Sequence, residues 1–371
     1  MVRASLPQTK IVLMKRCSWF VLFLAFTAAL AGCAGYMPPD DFTVQSVRLS
    51  HFWHHPVSVR AQVLLPSSYA ASAQRHYPVI YWIHAFGGSY HIGRTAEHNW
   101  RTAMAKAHSE YILVFLDAEL RRVHHEFADS ANNGPWGTAL VSEFIPALDK
   151  RFRTIPSKRF LAGHSSGAWA ALWLQLNYPK VFAGAWAISP DPVDFHDFAG
   201  LDLARPQQNF YRDSYGRDYG FVRRNGHDTT TLRQFVQNVP WAGAQFDSFD
   251  AVFSPRYPEG KPKRLFDRRT GRIDASVARY WEAHYDIDAL IQKHWTEMRP
   301  WIDGKLHVFV GTQDTYHLDG PVRRMAAAFS ALHGHGEFDF VSGAGHNDIF
   351  QKGDVIDRCV AEMSQIKSPS T

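Results

Sequence analysis

Two hydrophobic patterns alternate along this chain. One is the short run of consecutive apolar residues, as in YPVIYWI (77–83), YILVFLD (111–117), KRFLAG (158–163) and VFAGAWAIS (181–189). Such runs are of strand length and predict strands covered on both faces. The other is an amphipathic or helical spacing, at 97–108, in TALVSEFIPALDKRF (138–152) and in SGAWAALWLQLNYP (166–179). Pro146 is expected to kink the second of these, and Tyr178-Pro179 to end the third. Strands alternating with helices predict an α/β fold, a mostly parallel sheet with helices on both faces. Ahead of it, FTVQSVRLS (42–50) and VSVRAQVLLP (57–66) flank HFWHHP and predict an N-terminal antiparallel hairpin.

From Pro190 to about Pro300 the alternation stops. This stretch is rich in Asp, Arg, aromatics, Pro and Gly, with only patchy helical spacing. The pattern then resumes with a strand KLHVFVG (305–311), a helix PVRRMAAAFSALH (321–333), a strand EFDFV (337–341) and a last helix over 349–366. A stretch lying between two core strands is expected to be an insertion, about 190–300, within one domain spanning 42–366.

The first residues change the picture. Lys15 and Arg16 precede the apolar CSWFVLFLAFTAAL, and Leu30-Ala31-Gly32-Cys33 follows. That order is a signal peptide over 1–32, and small residues before a cysteine resemble the lipobox of bacterial lipoproteins. The resemblance implies cleavage before Cys33, a lipid on Cys33, a tether over 33–41 and a membrane-anchored chain in the cell envelope. The net charge of +5 is largely this leader, which holds four basic residues and no acid. The near-neutral remainder argues against nucleic acid as a partner. After cleavage Cys359 has no intrachain partner besides Cys33, so no structural disulfide is expected.

Candidate chemistry centres on Gly163-His164-Ser165-Ser166-Gly167, a G-x-S-x-G between a predicted strand and a predicted helix. A serine standing clear of a sheet needs a sharp, strained turn, and glycines either side remove clashing Cβ atoms. The pattern puts Ser165 at the centre, with the backbone N–H of Ser166 aimed at an oxyanion. A serine nucleophile needs a base and an orienting acid, here in the order Ser, acid, His. Asp314 follows the strand 305–311, with Asp319 as its rival, and His346 sits in SGAGHND (342–348) after the last strand. His317, His333 and His335 are rivals that do not follow a strand and a glycine turn. The second oxyanion donor is expected in IHAFGGS (83–89), at Phe86.

These segments resemble the esterase D family of α/β-hydrolases, which includes S-formylglutathione hydrolases, enterochelin esterases, feruloyl esterases and mycolyltransferases. The resemblance rests on YPVIYWIHAFGGS, on LVSEFIPALDKRFRT leading into RFLAGHSSGAWAA, on VFAGAWAISP and on the two later loops. It implies the α/β-hydrolase fold, a triad of Ser165, Asp314 and His346, an oxyanion hole at Phe86 and Ser166, a small-molecule ester as substrate and no cofactor. Ala85 stands where many relatives carry Gly. A serine esterase is the leading function; an acyltransferase on the same triad and a non-catalytic ligand-binding lipoprotein are the alternatives.

Two further features are weighed. The insertion is dense in aromatics, Trp241, Phe246, Phe249, Phe253, Tyr257, Trp281, Tyr285 and Trp295, most of which are expected to form its own core rather than a lid over substrate. Its basic run KPKRLFDRRTGR (261–272) is expected to be a solvated loop. The histidine groups at 51–55, 124–125 and 333–335 match no zinc spacing, and no metal is expected.

Overall fold

The computed structural model describes residues 39–120, 123–205 and 209–366. Cys33 and the leader lie outside them. Eight strands form the central sheet: β1 Asp40–Ser46, β2 Val57–Leu64, β3 Tyr77–Ile83, β4 Ile112–Leu116, β5 Thr154–His164, β6 Gly184–Ile188, β7 Leu306–Gly311 and β8 Glu337–Val341. Their spatial order is β1-β2-β4-β3-β5-β6-β7-β8. β1 and β2 join antiparallel at one edge. The pairs β4/β3, β3/β5, β5/β6, β6/β7 and β7/β8 are all parallel.

The consecutive apolar runs have a direct cause. Val79, Tyr81 and Ile83 of β3 and Ile112, Val114 and Leu116 of β4 enter one core. Ile80, Leu113 and Phe115, pointing the other way, enter a second core beyond the sheet. Side chains alternate faces along a strand, so a strand buried on both faces has no polar position to show.

Three local expectations are corrected. The segment 47–53, read as the end of a strand (to 50) and the start of the connection, is the helix Val47–Trp53. The Ser46 side chain accepts from the Leu49 N–H at 3.0 Å, and Leu49 is buried, so a cap and one apolar anchor outweigh the β-branched pattern. In 138–152 the disruption is a π turn, Leu140–Phe144, feeding the helix Ile145–Arg151. Pro146 lies in the first turn of that helix, where its missing N–H costs least. The last helix is two, Ile349–Lys352 and Val355–Gln365, parted at Gly353 and at Asp354, whose φ is +47°.

The connection between β6 and β7 is more helical than its composition suggests. It carries a hairpin, Gly220–Arg224 with His227–Thr231, and the helices Leu232–Asn238, Pro240–Phe253, Ala275–Tyr285 and Ile287–Ile302. Phe246, Phe249, Phe253, Trp281, Tyr285 and Trp295 are buried, whereas Tyr257 is exposed. Phe210 stacks on Phe266 and Phe249 on Phe253, while Phe246 meets Phe210 and Phe266 edge-on. The helix Pro240–Phe253 is tied to the core at the loop after β4: Ser248 Oγ accepts from the His124 N–H at 2.9 Å and donates to the His124 carbonyl at 3.0 Å. In the basic run, Arg268 turns inward to Asp250 at 2.7 Å.

Candidate active site

The turn at the end of β5 is built from two close backbone approaches. A Cβ on Gly163 would lie 2.2 Å from the Gly167 carbonyl oxygen. One on Gly167 would lie 2.1 Å from the Ile83 oxygen and 2.5 Å from the His84 oxygen. Only glycine fits either position, and the second contact presses the loop after β3 against the turn. Between them Ser165 has φ +56° and ψ −122°, a region that L-residues rarely occupy. The helix Ser166–Asn177 starts at once, so Ser165 stands at its N-terminus, where the first N–H groups lack intrahelical partners.

The loop after β3 is fixed by His84. The Ala118 N–H donates to His84 Nε2 at 3.1 Å, which leaves Nδ1 as the protonated nitrogen, and that N–H donates to the Ala85 carbonyl at 2.7 Å. The Gly88 N–H closes a turn on the same carbonyl at 2.9 Å. Phe86 sits inside this turn, partly exposed.

The loops after β7 and β8 meet beside the turn. Asp314 accepts from His346 Nδ1 at 3.0 Å. Its other oxygen accepts from the Tyr316 N–H at 2.9 Å and, more weakly, from the Leu318 N–H. Asp314 is 0% exposed, His346 5% and Ser165 6%. Burial pushes the Asp314 carboxyl up, but the facing imidazole and its hydrogen bond outweigh this, and its pKa lies below the usual carboxylate value. Burial pulls His346 down, yet the Asp314 charge and hydrogen bond, with Asp191 adding, leave it above the ordinary histidine value. His164 Nε2 donates to the His346 carbonyl at 3.0 Å and so pins the histidine loop to the turn. Burial above all holds His164 neutral, with a pKa of about 3.

Asp314 and His346 are thus joined to each other, and the His346 loop is tied through His164 to the turn that carries Ser165, whereas the rivals are engaged elsewhere. Asp319 pairs with Arg223 at 3.1 Å and opens the helix Asp319–Ala331 without a cap bond. His317 lies between Arg223 and Asp228, and His335 pairs with Asp303.

One residue of the site escaped the sequence reading. Asp191, in the loop after β6, accepts from Ser165 Oγ at 3.2 Å and from Ser166 Oγ at 2.5 Å. Its N–H donates to the Ser165 carbonyl at 3.3 Å. The available signal was an acid between two prolines, Pro190-Asp191-Pro192, directly after a buried strand. Asp191 also borders a narrow cleft of about 30 Å³ lined by Phe198, Phe221, Gln245, Phe246, Phe249 and Tyr316.

Among the described residues one group has metal-ligand types close together, Asp194, His196 and Asp286, within 4.8 Å of one another. It lies outside the histidine groups weighed in the sequence. Its members already have partners: Asp286 accepts from the Phe195 and Ala289 N–H groups, and Asp194 pairs with Arg324.

This sheet order, with a strained serine at a strand–helix turn, defines the α/β-hydrolase fold. The sequence profile of the "Putative esterase" family matches residues 56–270, more than half of the chain, and the chain belongs to that family. No curated protein matches it in sequence. Among solved structures it is similar to a ferulic acid esterase, at 14% identity and a TM-score of 0.53, covering 89% of this chain and 98% of the other. It is also similar to an S-formylglutathione hydrolase from Agrobacterium tumefaciens, at 15% identity and a TM-score of 0.52, over 88% and 95% of the two chains. An S-formylglutathione hydrolase from Staphylococcus aureus gives 11% identity and a TM-score of 0.52, over 89% and 100%. At such identities the likeness concerns the fold.

Proposed function

We propose that this chain is a serine carboxylic-ester hydrolase working through an acyl-enzyme at Ser165. The observation that carries the reading is the 3.0 Å hydrogen bond from His346 Nδ1 to Asp314, made beside a serine strained onto a helix N-terminus. That bond fixes the imidazole with Nε2 free to act as base. Ser165 Oγ turns from Asp191 to His346, gives its proton to Nε2 and attacks the ester carbonyl carbon. The oxyanion is met by the N–H of Ser166 and, from the loop after β3, of Phe86. The imidazolium returns the proton to the leaving alkoxide, and an alcohol departs. Water, activated by the same nitrogen, then attacks the acyl-Ser165 ester and releases the acid. The apolar cleft lined by Asp191, which bonds Ser165 Oγ, is the candidate place for the acyl group.

The leader supports a place in the cell envelope, with a lipid on Cys33 as the membrane anchor. The catalytic test is turnover of p-nitrophenyl acetate together with covalent labelling by a fluorophosphonate. Ser165→Ala should abolish labelling and lower turnover on the order of 10⁴-fold. Ser166→Ala keeps its backbone N–H and should cost about tenfold or less. A folded Ser165→Ala protein with near-parental turnover defeats the reading.

A further inference from the structure

We propose that Asp191 is a second acid of this site, a positioning residue that holds the Ser165 and Ser166 hydroxyls in the free protein and faces His346 together with Asp314. The inference rests on the reading of Ser165 as the nucleophile. Its ground is geometric. Both carboxylate oxygens of Asp191 are occupied by the two serines of the turn, at 3.2 Å and 2.5 Å. Its own N–H grips the Ser165 carbonyl. The prolines on either side restrict its backbone, and its side chain is 4% exposed. Among the described residues no lysine or arginine pairs with it, although a buried carboxylate is costly without a partner.

The titratable groups around it come from three other loops and the end of β5. His346 follows β8, and Asp314 and Tyr316 follow β7. Glu126, in the loop after β4, is fully buried with neither carboxylate oxygen hydrogen-bonded among the described residues. His164 ends β5, held neutral by burial. Burial pushes the Glu126 carboxyl well above the usual carboxylate range, with Asp191 adding. Burial also raises Asp191, to about 6, against the hydrogen bonds from Ser166 and Ser165 and the pull of His346. When ionised, Asp191 adds a second negative charge to that of Asp314 acting on the imidazole of His346.

The sign of the consequence follows. A negative charge beside His346 favours its imidazolium, so the base becomes available only at a higher pH. Removing that charge moves the acid limb of kcat/KM to lower pH. Asp191→Asn keeps the shape and removes the charge; the limb should fall by about one pH unit. Ser166→Ala leaves Asp191 in place but removes the hydrogen bond that favours its ionised form. The limb should then fall in the same direction by roughly half a unit. Ser166→Ala carries the test alone if Asp191→Asn does not fold by circular dichroism.

The experiment measures kcat/KM on p-nitrophenyl acetate from pH 5 to 9 for the parent and both variants, beside fluorophosphonate labelling of the parent and of Ser165→Ala. Labelling that depends on Ser165, with the limb shifted downward in the variants, supports the proposal. Labelling that depends on Ser165, with an unmoved limb in every folded variant, overturns it and leaves the esterase reading standing. Absence of Ser165-dependent labelling in the parent overturns both.

Discussion

Asp314 and Asp319 stand five residues apart in one loop and helix start, and their environments separate their roles. Asp314 is fully buried against His346, while Asp319 pairs with Arg223 at the edge of the same loop. Asp314→Asn should keep the shape, lose the charge that stabilises the imidazolium and lower kcat by about 10³- to 10⁴-fold. Asp319→Asn loses a partly exposed ion pair and should change kcat less than about threefold. Steady-state turnover of one activated ester by both variants checks this, and a severe Asp319→Asn defect beside a mild Asp314→Asn one would move the acid. The pH dependence has a definite sign. His346 stands above its ordinary value because of Asp314 and Asp191, so the parental activity should rise with pH through and above the usual histidine range. A pH–rate profile whose acid limb lies below that range contradicts the charge arrangement.

At the scale of elements, the meeting of β3, β5 and the helix Ser166–Asn177 is held by glycine contacts. Gly167→Ala would place a methyl 2.1 Å from the Ile83 carbonyl oxygen, backbone against backbone. Either the loop after β3 or the serine turn must shift. Turnover should fall by about 10²-fold, the scale of losing one oxyanion donor, and stability by about 1–3 kcal/mol. Kinetics with thermal unfolding checks this; parental kcat in a folded variant would show that the loop plays no part in the chemistry. The helix Pro240–Phe253 is read the same way. Its Phe246 and Phe249 are buried core, but Gln245 borders the cleft and is only partly buried. Gln245→Ala should raise kcat/KM on p-nitrophenyl butyrate relative to acetate, by roughly 3- to 10-fold for the added room. Its unfolding temperature should stay close to parental. An unchanged acetate-to-butyrate ratio would place the acyl group elsewhere.

At the scale of the whole molecule, the LAGC sequence motivates one more expectation. Cys33→Ala should release the chain from the membrane fraction or leave its leader uncleaved, read by fractionation and by the mass of the mature protein. A variant that fractionates and migrates like the parent excludes the anchor. The sequence by itself determined the doubly covered strands, the serine turn and the order of serine, acid and histidine. Each is a local signal: strand-length apolar runs, glycines around a strained serine, polar residues directly after a strand. Position at the carboxyl ends of parallel strands then does the rest, because those ends converge on one side of the sheet. Tertiary structure alone decided what local signals cannot encode. The helix Val47–Trp53 formed because Leu49 found a core and Ser46 a free N–H. The helices of the β6–β7 connection formed on aromatic packing that has no fixed sequence period. Asp191 became part of the site because the order β5-β6-β7 sets the loop after β6 beside the serine turn, a contact across 26 residues. A single acid between two prolines carries no periodicity and no spacing rule; its role exists only once the sheet has brought two serines within hydrogen-bond distance.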